Sequence, residues 1–140
     1  MNLDDLLGPK PNVIDLRAES RWEAIDELVN HLATGNKIKA QDKEAITASV
    51  KKREEAMTTG IGYHIAIPHA STDLVNDVVA IVGRSRKGIR FDTLDGQMVN
   101  LVLLFLVPSG QFQKHVNLLA NFAKLVHTSE FRDGLWGRFS

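Results

Sequence analysis

One stretch constrains this chain more than any other. Residues 100–107 read NLVLLFLV, apolar at successive rather than alternate positions, and Pro108 closes the run. An amphipathic strand alternates its faces, so an unbroken apolar run of this length suits a strand covered on both sides. The closing proline and the shortness of the run favour strand over helix, and a strand buried on both faces implies a sheet sandwiched between helices. The run is also far shorter than the roughly 20 residues that a membrane-spanning helix needs. No insertion into a membrane is therefore expected.

The remaining elements fit that frame. Ser20 and Glu23 have the spacing of a capping box, and Trp22, Ile25, Leu28, Val29 and Leu32 follow at helical intervals. Gly35 is placed to supply the left-handed residue that ends this helix. A second helix is expected from near Asp42, as N-cap, to about Glu55, with Ala45, Ile46, Ser49 and Val50 on its modest apolar side. Short β segments are expected at 65–67, before Pro68, and at 78–82. Ser85-Arg86-Lys87-Gly88 reads as a turn before a strand around 89–91. Beyond Ser109-Gly110, the positions of Phe112, Val116, Leu119, Phe122, Ala123 and Val126 fall within an arc of roughly 120°, a third helix. A last short helical segment runs from Ser129 to about Trp136. A length of 140 residues is one ordinary domain, and no repeat, linker or low-complexity segment divides it. The expected fold is a single α/β domain over 1–140.

Composition removes several functions. The absence of cysteine excludes disulfides, thiolate zinc sites and cysteine nucleophiles. Seventeen basic residues balance seventeen acidic ones, which argues against nucleic acid or an anionic bilayer as partner. The first residues, MNLDDLLGPKP, are acidic and lack the form of a secretion signal, so a cytoplasmic location is expected. Neither a P-loop, a complete dinucleotide fingerprint, H-E-x-x-H nor a G-x-S-x-G elbow occurs. No cofactor is expected.

Histidines, glycines and an arginine carry what chemistry remains. In residues 58–70 (TTGIGYHIAIPHA), Gly60 and Gly62 let a partner or an anion approach the backbone. Pro68 fixes its own φ and biases Ile67 toward extension, so His69 follows a stiffened strand end and presents a ring nitrogen from rigid support. A surface histidine beside a turn would share that pattern. His115 lies inside the apolar arc of the third helix, near its first turn, where free N–H groups attract phosphate and disfavour a protonated imidazole; a packed core histidine is the competing reading. His64 is five residues before His69 and can join either site, whereas His31 and His127 have nothing chemical nearby. Arg53 has the guanidinium geometry for bidentate phosphate contact, while Lys51 and Lys52 read as a solvated helix face.

Three blocks of this sequence, taken in order, resemble one family. Residues 53–70 (REEAMTTGIGYHIAIPHA) closely resemble the active-site signature of enzyme IIA domains of the fructose, mannitol and nitrogen-regulatory class (type 2), part of the bacterial phosphoenolpyruvate-dependent sugar phosphotransferase system. Residues 86–108 resemble the family's hairpin and central strand, and residues 113–126 its helix opened by a second histidine. The resemblance implies a mixed sheet of about five strands with helices on both faces. It implies a phosphoryl relay in which His69 accepts phosphate from a histidine-containing phosphocarrier protein and passes it to an enzyme IIB domain, or uses it to switch a regulatory partner. It further implies that His115 and Arg53 bind the phosphoryl group. With backbone N–H groups of Gly60 and Gly62, they would hold its oxygens.

Two departures stand out. The family usually writes G-x-G-x-G-I-A-I/V-P-H, and here His64 replaces the third glycine, either shifting the loop or joining the phosphate site. The family's final amphipathic helix is shortened or missing here, which leaves apolar surface that a second copy of the chain would cover in a homodimer. A zinc site made of His64, His69 and His115 is the rival reading from another class of function.

Overall fold

The structure, a computed structural model, describes residues 13–91, 93, 95–111, 120, 124 and 128–139. Strand β1 (Val13–Asp15) leads to helix α1 (Arg21–Thr34) and then α2 (Lys43–Ala56). Three short strands follow, β2 (Gly60–Gly62), β3 (Ile65–Ala66) and β4 (His69–Thr72). Two long ones come next, β5 (Val79–Ile89) and β6 (Val99–Pro108), and α3 (Ser129–Phe139) is the last described element. Among the described residues the sheet has six strands, in keeping with the mixed sheet of about five expected, in the order β1-β5-β6-β3-β2, with β4 also paired to β6. The sheet is mixed: β5 and β6 are antiparallel, while β1 runs parallel to β5, and β3 and β4 parallel to β6.

The apolar run becomes β6, and its burial explains its composition. Val102, Leu104 and Leu106 face one core with Ile25, Leu28 and Leu32 of α1 and Ile46 and Val50 of α2. Leu101, Leu103 and Phe105 face the other with Ile65, Ile67 and Val82, and Trp136 of α3 packs against them. Both faces are thus apolar because both are covered.

Local chemistry sets the ends of α1. The Ser20 Oγ accepts from the Glu23 N–H at 3.2 Å, and the Ser20 hydroxyl meets the Glu23 carboxylate at 3.4 Å. At the other end Gly35 is not left-handed (φ −83°); Asn36 is, with φ 59°. The Lys37 N–H donates to Leu32 O (2.9 Å) and the Asn36 N–H to Ala33 O (3.1 Å), a Schellman closure in which asparagine takes the left-handed place. Helix α2 starts where expected, but Asp42 caps nothing with its side chain; a 3₁₀ turn over Ala40–Asp42 leads in instead. Its buried stripe is Ile46, Val50 and Glu54, while Ala45 is exposed.

The expected turn at Ser85–Gly88 is a bulge inside β5. Pairing slips between Arg84↔Leu101 and Ile89↔Val99, so β5 carries extra residues there. The Asn100 amide fills the gap by donating to Ser85 O (2.8 Å) and Arg86 O (3.4 Å), and Gly88, at φ 91°, returns the strand to register. The third helix, with Phe112, His115, Val116, Leu119, Phe122, Ala123, Val126 and His127, lies outside the described residues apart from Ala120 and Lys124, which are helical. The closing helix is present as α3 and extends a little past Trp136.

Candidate functional site

The site lies where α2 ends and the chain turns onto the β6 edge. Residues 60–66 form a hairpin, with Gly60 opposite Ala66 and Gly62 opposite Ile65. The two turn residues are Tyr63 (φ 56°) and His64 (φ 67°), both left-handed as a two-residue hairpin turn requires. Gly62, at φ 92°, begins the turn, and a Cβ there would lie 3.4 Å from the Asp95 carboxylate. Asp95 accepts from the Tyr63 N–H (3.0 Å) and the Gln97 N–H (3.1 Å), and these two bonds, the larger first from Gln97, hold its carboxyl below the usual range. The His64 carbonyl accepts from Asn100 N and Leu101 N, at 2.8 and 3.1 Å. The hairpin is therefore fastened at its turn to the start of β6.

His69 opens β4 rather than following a strand end. The chain keeps company with β6 through the proline: Pro68 O accepts from the Phe105 N–H at 3.0 Å, and His69 then pairs with Phe105. Pro68 here needs only to accept, so its missing N–H costs nothing on that side. His69 is half-buried, on a regular strand. Its Nδ1 lies 2.9 Å from Ile67 O. A carbonyl can only accept, so Nδ1 carries the proton in the neutral ring and the lone pair stands on Nε2. Burial lowers the imidazole pKa below its ordinary 6.5, and the Arg53 guanidinium adds to that; the Ile67 carbonyl and the Glu54 carboxylate oppose it. The ring is thus held neutral, in one tautomer, with a nucleophilic nitrogen.

Arg53 and Glu54 come to this point from the last turn of α2. The Arg53 Nη1 donates to Met57 O at 3.3 Å, which satisfies an end carbonyl of the helix and keeps the guanidinium beside the loop. Glu54, which sequence reasoning did not single out, is 1% exposed. Its carboxylate accepts from the Thr59 N–H at 2.8 Å and from the Thr59 hydroxyl, and meets Arg21 Nη1 at 3.5 Å. The i, i+4, i+8 spacing of Ile46, Val50 and Glu54 was the available signal.

The structure therefore brings together His69, Arg53 and Glu54. The other expected site residues have different contacts. The Gly60 N–H donates to Thr58 Oγ1 (3.1 Å), and the His64 ring places Nδ1 2.8 Å from Met98 O. His115 lies outside the described residues. Among the described residues no three His, Asp or Glu side chains gather as a metal site, and no helix is long and apolar enough to cross a membrane. A cleft of about 710 Å³ between α1 and α2, lined by Glu27, Asn30, Lys43 and Thr47 among others, does not include His69.

A half-buried imidazole held through Nδ1 on a mixed sheet between helices defines the class as an α/β domain with a histidine at its candidate site. The comparisons give that class its name. The sequence model of the phosphoenolpyruvate-dependent sugar phosphotransferase system, EIIA 2, matches residues 9–137, and this chain belongs to that family. It is 31% identical over 130 residues to a nitrogen regulatory protein of Bradyrhizobium diazoefficiens, covering 93% of this chain and 83% of that one. It is also 31% identical over 135 residues to a fructose-specific EIIABC component of Bacillus subtilis, spanning 96% of this chain but only 21% of that longer protein. Among solved structures, the nitrogen regulatory protein IIA-Ntr of Neisseria meningitidis superposes with a TM-score of 0.75 at 26% identity, covering 88% of this chain and 82% of the other.

Proposed function

We propose that this member of the EIIA 2 family carries its phosphoryl group on Nε2 of His69. The observation that carries the reading is the hydrogen bond from Nδ1 to Ile67 O, which leaves Nε2 as the attacking atom. In the step, the Nε2 lone pair forms a bond to the phosphorus of a phosphohistidine on the donor carrier protein. The donor's N–P bond breaks and its imidazole leaves with the electron pair. His69 retains its Nδ1 proton, so its ring bears positive charge beside the dianionic phosphoryl group, and the Ile67 carbonyl stabilises that proton. Such transfer passes through a loose transition state, so the protein mainly positions groups and stabilises charge. Arg53 would receive the equatorial oxygens, a role supported by its position in the last turn of α2 and by its lowering of the His69 pKa. His115 is the proposed second phosphate ligand, from the residue pattern alone. The hairpin glycines shape the approach, while the His64 ring, held at Met98 O, takes no part in the transfer.

An EIIB unit is the proposed acceptor, since the Bacillus subtilis relative's name joins EIIA with EIIB and EIIC. The second reading is regulatory. The relatives from Bradyrhizobium diazoefficiens and Neisseria meningitidis are both nitrogen regulatory proteins. Phosphorylation of neutral His69 adds a dianionic group and, with the ring positive, about one net negative charge, which can reverse a docking contact. Either way the chemistry at His69 is the same. Incubation with phosphoenolpyruvate, enzyme I and the phosphocarrier protein should give an acid-labile phosphate by mass spectrometry. The His69→Gln variant should take up none, and His115→Ala should label slowly with its fold intact. Labelling of His69→Gln at the wild-type rate would overturn the assignment.

A further inference from the structure

A charge-bearing side chain that is 1% exposed needs a reason, and the proposed phosphoryl chemistry does not use Glu54 directly. Its contacts trace a continuous path. Both carboxylate oxygens hold Thr59, one through the backbone N–H and one through the hydroxyl. The Thr59 carbonyl accepts from the Ile67 N–H at 3.0 Å. The Ile67 carbonyl accepts from His69 Nδ1 at 2.9 Å. On its far side the carboxylate meets Arg21, the first residue of α1, whose own N–H donates to Arg90 O at 3.1 Å.

We propose that Glu54 is the positioning residue of the phosphoryl site, fixing the Thr59 and Ile67 backbone that orients the His69 ring and locks its Nδ1–H tautomer. The inference rests on His69 being the phosphorylated residue. Thr59 offers Glu54 two donors, its backbone N–H and its hydroxyl, and is itself buried. The carboxylate does more than hold. It favours the charged imidazole while Arg53 opposes it, so the pair at positions 53 and 54 works on the ring with opposite signs.

Glu54→Gln keeps the shape and one acceptor but removes the charge and one of the two bonds to Thr59. The first readout is labelling: the initial rate should fall about tenfold, the factor that a loss of 1.4 kcal/mol of positioning gives. The second is the pH profile: the acid midpoint of labelling should move to lower pH, because a charge that favoured the imidazolium is gone. The third is the ¹⁵N spectrum of the His69 ring, which should change from one fixed tautomer to a mixture of two. A purely structural residue would lower the melting temperature without moving the midpoint or the tautomer. Thr59→Ser, which keeps both donors, should retain the tautomer, while Thr59→Val should lose it; these variants serve if Glu54→Gln does not fold. Wild-type rate, midpoint and tautomer in folded Glu54→Gln would overturn the proposal while leaving His69 as acceptor. Labelling of His69→Gln would instead overturn the reading beneath it.

Discussion

The edge of the sheet farthest from His69 offers a sharp quantitative test. Gly83 sits in β5 between Ile14 of β1 and Val102 of β6. A Cβ built on it would lie 2.6 Å from Leu16 Cδ1, 2.8 Å from Cγ and 3.0 Å from Cδ2. Carbon atoms rest comfortably about 3.5–4.0 Å apart, so the Leu16 side chain must retreat by about 1 Å. It has little room to do so. Leu16 is 7% exposed, packs in the core under α1, and is pinned by its own N–H to Arg84 O at 2.7 Å. Overpacking of this kind costs about 1–3 kcal/mol. The unfolding entropy of a 140-residue chain is about 0.3 kcal/mol/K. A cost of about 2 kcal/mol in Gly83→Ala therefore lowers Tm by about 7 °C. Calorimetry of the single and double variants checks the cause as well as the size. Leu16→Ala alone should cost about 2–5 kcal/mol. In the Gly83→Ala background it should cost less, because the added methyl fills part of the void, which gives a favourable coupling energy. Phosphoryl labelling well below Tm should be unchanged, since β1 and β4 lie on opposite sides of β6. A Tm for Gly83→Ala at or above wild type would refute this account of the β1–β5 edge.

Two other outcomes follow from the site. Because burial lowers the His69 pKa and only the neutral ring can attack, the acid limb of the labelling rate should have its midpoint below 6.5. Stability carries the same sign: the part due to neutral His69 is present above 6.5 and is lost as pH falls toward the lowered pKa, and His69→Gln should abolish that part of the pH dependence of Tm. A midpoint above 6.5 would contradict the burial argument. His64→Gly relieves a left-handed side chain, worth about 1–2 kcal/mol, and loses the exposed bond to Met98 O, worth about 0.5–1.5 kcal/mol. The two nearly offset, so Tm should move by only a few degrees while labelling stays at the wild-type rate; a large loss of labelling would place His64 in direct phosphate contact.

The legible parts of the fold were those with local causes. The apolar run of β6, the Ser20–Glu23 cap and the stripe Ile25, Leu28, Val29, Leu32 each state their role within a few residues, and each stands where expected. What escaped depended on bonds and packing that residue type alone does not announce. Ser85-Arg86-Lys87-Gly88 has turn chemistry, yet it is a bulge because Asn100, across the sheet, supplies the donors that bridge it. Gly35 looked like the helix end, but the Schellman bonds fix the left-handed position one residue later, at Asn36. His69, Gly62 and Arg53 were visible through glycine and proline punctuation. Glu54 was hidden in the charged string Lys51-Lys52-Arg53-Glu54-Glu55, which reads as a solvated helix end. Only its place on the Ile46–Val50 stripe told otherwise.

That one ring nitrogen of one histidine carries the phosphoryl group is tested most directly by ³¹P–¹⁵N correlation on histidine-labelled protein phosphorylated from phosphoenolpyruvate. The expected spectrum holds a single phosphoimidazole, His69, with phosphorus on Nε2 and the proton kept on Nδ1. Phosphorus on Nδ1, or on any other histidine of the chain, would contradict it.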